Sequence, residues 1–289
     1  MYKLIAIDLD GTLLNSYGEV SAENKKAIAY AKERGAMVVL TSGRPVKSVE
    51  NLANELDANE YIICGNGAII HNLKEKRIVY ENAIEKKRIL ELIDICERNS
   101  IYYSIYTEEG ILAKSLNFNV LYYNQENKKK TEDKKTPIQI EQNLYDYIKE
   151  DTKHIYLKFS IADENNVIFM RTREKLNTIK RLQILEVEHQ SRKVFKSGTE
   201  YIPIEYYYTE ITNQDVHKWN AIEYVMHELG ISPEQVIAIG DNVNDETMLR
   251  NAGMGVAMGN SAPYIKEMAN MITNTNNEDG VAKAIYSLL

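Results

Sequence analysis

The sequence predicts an α/β protein, a doubly wound and mostly parallel sheet interrupted by an inserted α+β domain. Three observations carry this. Short apolar runs that stop at acids, Gly or Ser recur toward both ends of the chain, helical stretches separate them, and a long segment of different texture lies between. Alternation of strand and helix is the pattern of a parallel sheet with helices on both faces.

The first run, Lys3 to Ile7, ends at Asp8 and Asp10 and suits a strand buried on both faces. Ser21 can cap a helix that Gly35 ends. Met37 to Leu40 is a second strand closed by Thr41-Ser42-Gly43-Arg44, and Pro45 fits the first turn of the next helix. Tyr61 to Cys64 makes a third strand before Gly65-Asn66-Gly67. The rhythm returns with a helix from Lys218 to Leu229 stopped by Gly230, and a strand from Val236 to Ile239 ending in Gly240-Asp241. Gly255 to Met258 and Met271-Ile272 add further short strands.

Between the two ends the chain is rich in Tyr, Asn, Lys and Glu. It carries a helical pattern at Ile89, Leu92, Ile93 and Cys96, an alternating stretch from Ile101 to Tyr106, and an apolar run from Ile155 to Ile161. The expected division is a Rossmann-like core over 1–82, an α+β cap over 83–208 and the rest of the core over 209–289. The lysines at 128–130 and 134–135 lack apolar periodicity and read as a solvated loop in preference to a site for an acidic partner. Tyr102, Tyr103, Tyr106, Tyr122 and Tyr123 suit cap packing better than stacking on a ligand ring.

A formal charge of −7 over 289 residues argues against a protein that wraps nucleic acid or an anionic membrane surface. The N-terminal apolar run is too short for a signal peptide core, and no stretch approaches the roughly 20 apolar residues of a membrane span. The expected location is the cytoplasm. Cys64 and Cys96 each sit in an apolar pattern and read as reduced, buried thiols. The histidines at 71, 154, 189, 217 and 227 lack the spacing of a zinc site.

Asp8-Leu9-Asp10-Gly11-Thr12 falls where the first strand ends, at the sheet edge where open α/β sheets bind ligands. A solvated Asp-Gly turn is the plainer alternative. Cleaving a phosphate ester takes a nucleophile and a proton for the departing alcohol, and two carboxylates can divide that work. Asp8 would attack phosphorus. Asp10 would protonate the leaving oxygen and then activate water. Gly11 and Thr12 would offer backbone N–H groups to phosphate oxygens.

A carboxylate facing a phosphate needs a cation between them, and Mg²⁺ with its oxygen ligands is the candidate. Gly240-Asp241-Asn242-Val243-Asn244-Asp245 supplies further acids after another strand. Asp241 would bind metal, Asp245 would bind it or cap the following helix, and Asn244 would fix the neighbouring loop or phosphate. Ser42 offers a hydroxyl, Gly43 permits close approach, and Lys218 would neutralise the transferring phosphoryl group.

With these residues placed, the chain resembles the haloacid dehalogenase superfamily, and within it the Cof-type (subclass IIB) phosphatases with a large inserted cap. Asp8 to Thr12 is similar to the first family motif, Thr41 to Arg44 to the second, Lys218 to the third and Gly240 to Asp245 to the fourth. Gly255 to Asn260 and Asp279 to Ala282 also resemble this subfamily. The resemblance implies that Asp8 is nucleophile and metal ligand, that Asp10 adds its backbone carbonyl to the metal, and that Ser42 and Lys218 hold phosphate. It implies Asp241 on Mg²⁺, Asp245 on or behind the metal, Asn244 in the phosphate loop, and Arg44, Asn66 and Gly67 lining the pocket. Ser42 stands where Thr is common, and Trp219 where Gly usually follows the lysine, which would pack the indole or narrow the entrance.

The expected activity is hydrolysis of small phosphorylated metabolites, such as sugar phosphates, nucleotides, FMN or pyridoxal phosphate, through an aspartyl phosphate. A phosphomutase using the same acids is the enzymatic alternative, and would need a bisphosphate activator. A metabolite-sensing regulator phosphorylated on Asp8 is the alternative from another class. Asp10 speaks against it, because an acid/base group two residues away hastens loss of the acyl phosphate. Ion transport is set aside for want of membrane spans.

Overall fold

A computed structural model describes residues 2–58, 60–128, 130–132, 135–185, 191–197 and 200–289, with backbone alone over 191–197 and 200–204. The chain divides into two compact units. The first holds residues 1–44, 49–81 and 217–289; the second holds 45–48 and 82–216.

In the first unit, β1 (Leu4–Asp8), β2 (Met37–Thr41) and β3 (Tyr61–Cys64) follow the expected apolar runs. β4 (Ile69–Asn72) and β5 (Arg77–Glu81) extend that edge as antiparallel strands that the sequence pattern does not announce. β13 (Val236–Gly240), β14 (Met254–Ala257) and β15 (Met271–Ile272) complete the other edge. The order is β15-β14-β13-β1-β2-β3-β4-β5, parallel as far as β3. β1 therefore sits between strands from opposite ends of the chain.

Alternate residues of these strands enter cores on opposite faces. Leu4, Ala6, Val39 and Ile63 pack against Trp219, Ile222 and Val225 of α7 (Lys218–Leu229). Ile5, Ile7, Val38 and Leu40 are buried on the opposite parity. α1 (Ala22–Glu33) pairs with α10 (Gly280–Leu288), where Tyr30 meets Tyr286 edge-on at 5.2 Å. Ser21 Oγ caps α1 by accepting the Asn24 N–H, and Gly230 in the left-handed region ends α7. Trp219 is packed, not projecting: its ring joins the core and its Nε1 donates to Glu223 at 2.8 Å. The remaining helices here are α2 (Val46–Glu55) from Val49 onward, α8 (Glu246–Asn251) and α9 (Pro263–Met268).

The second unit is an α+β layer. Its strands are β6 (Tyr102–Thr107), β7 (Ile111–Ala113), β8 (Ile138–Ile140), β9 (Tyr156–Asp163), β10 (Leu182–Ile184), β11 (Ser191–Ser197) and β12 (Glu200–Asn213). The main path runs β10-β12-β9-β6-β7-β8, with β11 paired to the first half of β12. α3 (Lys86–Arg98), α5 (Leu144–Glu150) and α6 (Asn166–Leu176) cover one face through Ile89, Leu92, Leu144, Phe169 and their strand partners; α4 (Phe118–Asn127) places Val120 beside Tyr106. The return to the first unit suggested at residue 209 falls inside β12, whose pairing with β9 and β10 carries the chain on to Asn213. Residues 45–48 likewise group with the second unit, where the Val46 N–H donates to the Glu108 carbonyl at 3.0 Å.

Tyr103 and Tyr106 are buried, Tyr103 stacked on Phe159 at 5.3 Å and Tyr106 edge-on to Tyr123 at 6.0 Å. Tyr102 donates its hydroxyl to the Ser115 carbonyl at 2.7 Å. Tyr122 touches Tyr123 edge-on and is partly exposed. Cys64 and Cys96 are free thiols, buried as expected. Lys129, Lys134 and His189 lie outside the described residues. No helix among the described residues is long and apolar enough to cross a membrane.

Candidate active site

β1, β2 and β13 are neighbours, so their C-terminal ends open onto one edge of the sheet. Asp8 closes β1, Ser42 follows β2, and Gly240-Asp241 closes β13. The register pairs Asp8 with Thr41 and Ile7 with Ile239, which sets the three loops side by side. α7 begins at Lys218, and its ammonium is fully buried between Asp8 Oδ1 at 2.5 Å and Asp245 Oδ1 at 2.6 Å. Gly67 makes this placement possible: at φ +102°, a Cβ there would overlap the His217 carbonyl at the start of α7.

Asp245 organises the loop from below. Its Oδ2 accepts the N–H groups of Asp241 at 2.9 Å and Asn242 at 3.1 Å, while its other oxygen takes Lys218. Gly240 leaves room for it, since a Cβ at that position would lie 2.6 Å from the Asp245 side chain. Thr12 Oγ1 donates to Asp241 Oδ1 at 3.0 Å. Gly11, at φ +85°, lies so close to the Asp241 carboxylate that a Cβ would overlap it. The two loops that carry acids are thus in direct contact.

Among the described residues, Asp8, Asp241 and Asp245 offer carboxylate oxygens all within 4.8 Å of one another. Three carboxylates face one ammonium, a surplus of two negative charges in a largely buried setting. That surplus equals the charge of one divalent cation, and the donors are all oxygen, so the residues fit a hard ion such as Mg²⁺.

The electrostatics carry the same imbalance. Burial, then the Asp245 carboxylate, outweigh Lys218 and hold Asp8 well above the usual carboxylate range. Burial and Asp245 push Asp241 up to about 6. Burial alone would lower Lys218, but Asp245 and Asp8 prevail and keep the ammonium charged. With Asp241 raised from 3.8 to about 6 in the folded, metal-free protein, its stabilising share is complete below pH ~4 and is lost as pH rises through about 6. The loss amounts to roughly 3 kcal/mol, at about 1.4 kcal/mol per unit. Thermal melts in EDTA are expected to show this group favouring pH 5 over pH 7.5, with added Mg²⁺ stabilising more at pH 7.5 than at pH 5. A Mg²⁺ shift that is larger at pH 5 would contradict the assignment.

The haloacid dehalogenase-like hydrolase family model matches residues 5–285. The chain belongs to that family. This hydrolase is of the Cof type, the phosphatase branch that the motif pattern resembles. It is 32% identical to the phosphatase YwpJ of Bacillus subtilis, over 99% of this chain and 100% of YwpJ. It is also 32% identical to the 5-amino-6-(5-phospho-D-ribitylamino)uracil phosphatase YcsE of Bacillus subtilis, over 98% of this chain and 94% of YcsE. A haloacid dehalogenase-like hydrolase from Bacteroides thetaiotaomicron superposes with a TM-score of 0.79 at 31% identity, each chain covered in full.

The other candidate residues of the hydrolase divide into those that join the cluster and those that do not. Asp10 turns away from the three carboxylates: its side chain is 58% exposed and both oxygens take the Arg44 guanidinium, at 2.8 and 2.5 Å. It is not among the carboxylates that share the possible ion site. Arg44 is therefore bound to an acid in the free protein. Ser42 is fully buried and its Oγ accepts the Arg44 N–H at 3.2 Å. Asn66, in the left-handed region at φ 60°, accepts the Asn244 side chain on Oδ1 at 3.1 Å, and Gly43 leaves space for it. The Thr12 N–H donates to the Leu9 carbonyl at 3.3 Å, closing the turn.

The sequence reading missed a set of asparagines. Asn260 Nδ2 donates to the Gly11 carbonyl at 2.8 Å, and Asn276 Nδ2 to the Leu14 carbonyl at 2.8 Å. The only signal was the subfamily resemblance of the run that ends at Asn260.

Proposed function

We propose that the protein is a Mg²⁺-dependent phosphoric monoester hydrolase acting on small phosphorylated metabolites through an aspartyl phosphate on Asp8. The observation that carries this reading is the placement of Lys218 between Asp8 and Asp245, with Asp241 within reach of the same ion. The residues that would hold Mg²⁺ are Asp8, Asp241 and Asp245, with the backbone carbonyl of Asp10. The ion would neutralise the repulsion between carboxylate and phosphate.

Asp8 supplies an electron pair to phosphorus, forming a carboxylate–phosphorus bond as the ester P–O bond breaks. Asp10 gives its proton to the departing oxygen, then takes one from the water that attacks phosphorus and frees Asp8 as inorganic phosphate leaves. Lys218 holds Asp8 in place and offsets the charge of the transferring group. Ser42, Asn244 and the backbone at Gly11 form the cradle for phosphate oxygens, with Gly43, Asn66 and Gly67 shaping it and Thr12 bracing Asp241. Arg44, which forks Asp10 in the free protein, exchanges that partner for substrate and releases Asp10 for proton transfer.

A phosphate-release screen over sugar phosphates, nucleotides and phosphorylated vitamins, with Mg²⁺ present, tests the reading. The named substrate of YcsE places 5-amino-6-(5-phospho-D-ribitylamino)uracil in the same panel. No release above an EDTA control from any member would overturn it. Asp10→Asn is expected to lower kcat by about 10²–10⁴, the usual worth of a positioned acid/base group, with melting unchanged because the side chain is exposed. Turnover within a factor of two of the parent would remove Asp10 from the mechanism.

A further inference from the structure

We propose that Asn260 is a positioning residue for the acid cluster, acting through the backbone of Gly11, and that Asn276 is its support. The proposal rests on the reading of Asp8 and Asp241 given above.

Gly11 stands at a tightly constrained point of the site. Its φ of +85° belongs to the left-handed region, and its Cα lies against the Asp241 carboxylate with no room for a side chain. A backbone in that conformation keeps its direction only if the flanking peptide planes are held. The Asn260 amide holds one of them. Its Nδ2 donates to the Gly11 carbonyl at 2.8 Å, across 249 residues of sequence. A peptide unit is planar, so fixing the Gly11 C=O also fixes the Thr12 N–H direction and the start of Thr12. Thr12 in turn donates its hydroxyl to Asp241 at 3.0 Å. The chain of contact therefore runs from Asn260 through Gly11 and Thr12 to an oxygen of the acid cluster.

Asn260 is itself held. Its Oδ1 accepts the Asn276 N–H at 3.0 Å, and the Asn276 side chain donates to the Leu14 carbonyl at 2.8 Å. Both ends of the turn from Gly11 to Leu14 are thus tied to the loops after β14 and β15 by two linked amides. Asn277 continues the strap, accepting the Ser16 N–H at 2.9 Å and donating to Ser16 Oγ at 2.9 Å. The Gly11 carbonyl takes a donor from Asn260, and an ionised Asp at that position could not provide one.

The chemistry gives a test in which two variants separate the roles of the two ends of one side chain. Asn260→Asp keeps the acceptor for the Asn276 N–H and loses the donor for Gly11; Asn260→Ala loses both. Each protein is measured for Mg²⁺ affinity by calorimetry, for melting, and for kcat and KM with p-nitrophenyl phosphate. Both variants are expected to melt close to the parent, to bind Mg²⁺ about tenfold more weakly, and to lose about tenfold or more in kcat at saturating Mg²⁺ with KM changed less than threefold; displacements near 1 Å can cost up to ~10²-fold.

Mg²⁺ affinity and kcat within twofold of the parent in either variant would overturn the proposal. Loss in Asn260→Ala with an unaltered Asn260→Asp would also overturn it, by showing that the acceptor end alone matters. If either protein fails to fold, Asn276→Asp, which keeps its backbone N–H to Asn260 and loses the donor to Leu14, must weaken Mg²⁺ binding for the proposal to stand. Asp8→Asn run beside them reports on the underlying reading separately: activity in that protein would refute the covalent mechanism whatever the asparagine variants do.

Discussion

Asp8→Asn is expected to abolish turnover, by at least about 10⁴-fold, while leaving the fold intact. The amide keeps the size and shape of the carboxylate but is neutral and a far weaker nucleophile toward phosphorus, so the covalent route closes. The structural outcome follows from the charge imbalance. Asp8 is buried beside Asp245 and Asp241, and that surrounding disfavours its ionised form. Removing one negative charge from such a group relieves repulsion at the cost of one contact to Lys218. The metal-free variant should therefore melt at or near the parent temperature, and its Mg²⁺ stabilisation should shrink. Phosphate release and thermal melts with and without Mg²⁺ check both parts. Retained activity would exclude Asp8 as nucleophile.

Lys218→Met carries the second large effect, and here stability and activity fall together. The ammonium is wholly buried and bridges two carboxylates. Methionine keeps the stem and removes the charge, leaving buried carboxylates without their cation; breaking a buried pair in this way costs about 3–5 kcal/mol. The metal-free variant is expected to lose stability of that order in urea titrations and to regain part of it with Mg²⁺. Turnover should drop by about 10³-fold even where the protein is folded, as for removal of a fixed charge at a transferring group. A variant as stable and as active as the parent would mean that Lys218 is packing alone.

The parts of the site that were legible in the sequence share one property: they follow short apolar strands. Asp8, Ser42 and Asp241 each come directly after a run too short and too apolar to be anything but a buried strand, and adjacency in a parallel sheet brings such ends together. Lys218 was legible as a helix start, and its burial was not, because burial there depends on Gly67 and on two acids from other loops. The pairing of Asp10 with Arg44 was hidden for a related reason. Asp10 reads as the acid/base group and Arg44 as lining of the pocket, and nothing in their spacing says that they meet first. Asn260 and Asn276 sit in loops without periodicity, and what makes them informative is a carbonyl far away in the chain.

In the fold, the parallel strands were readable from apolar runs and the β4–β5 hairpin was not, because β5 alternates weakly and mixes charged with half-buried positions. The inserted unit was recognisable by composition, whereas its end was not. Composition shifts near residue 208, but β12 is held by hydrogen-bonded pairing up to Asn213, which no composition reports.

The strand order also constrains how the protein is made. β1 leaves the ribosome before either of its two partners, and one of them, β13, begins only at Val236. Pairing across so many residues is slow, since the loop must close before any contact rewards it. The inserted unit ends at Val216, so all of it is synthesised while β1 still lacks one neighbour. For that interval an apolar strand end bearing Asp8 is unprotected on one edge, a window in which nascent chains are most exposed to aggregation and to chaperones.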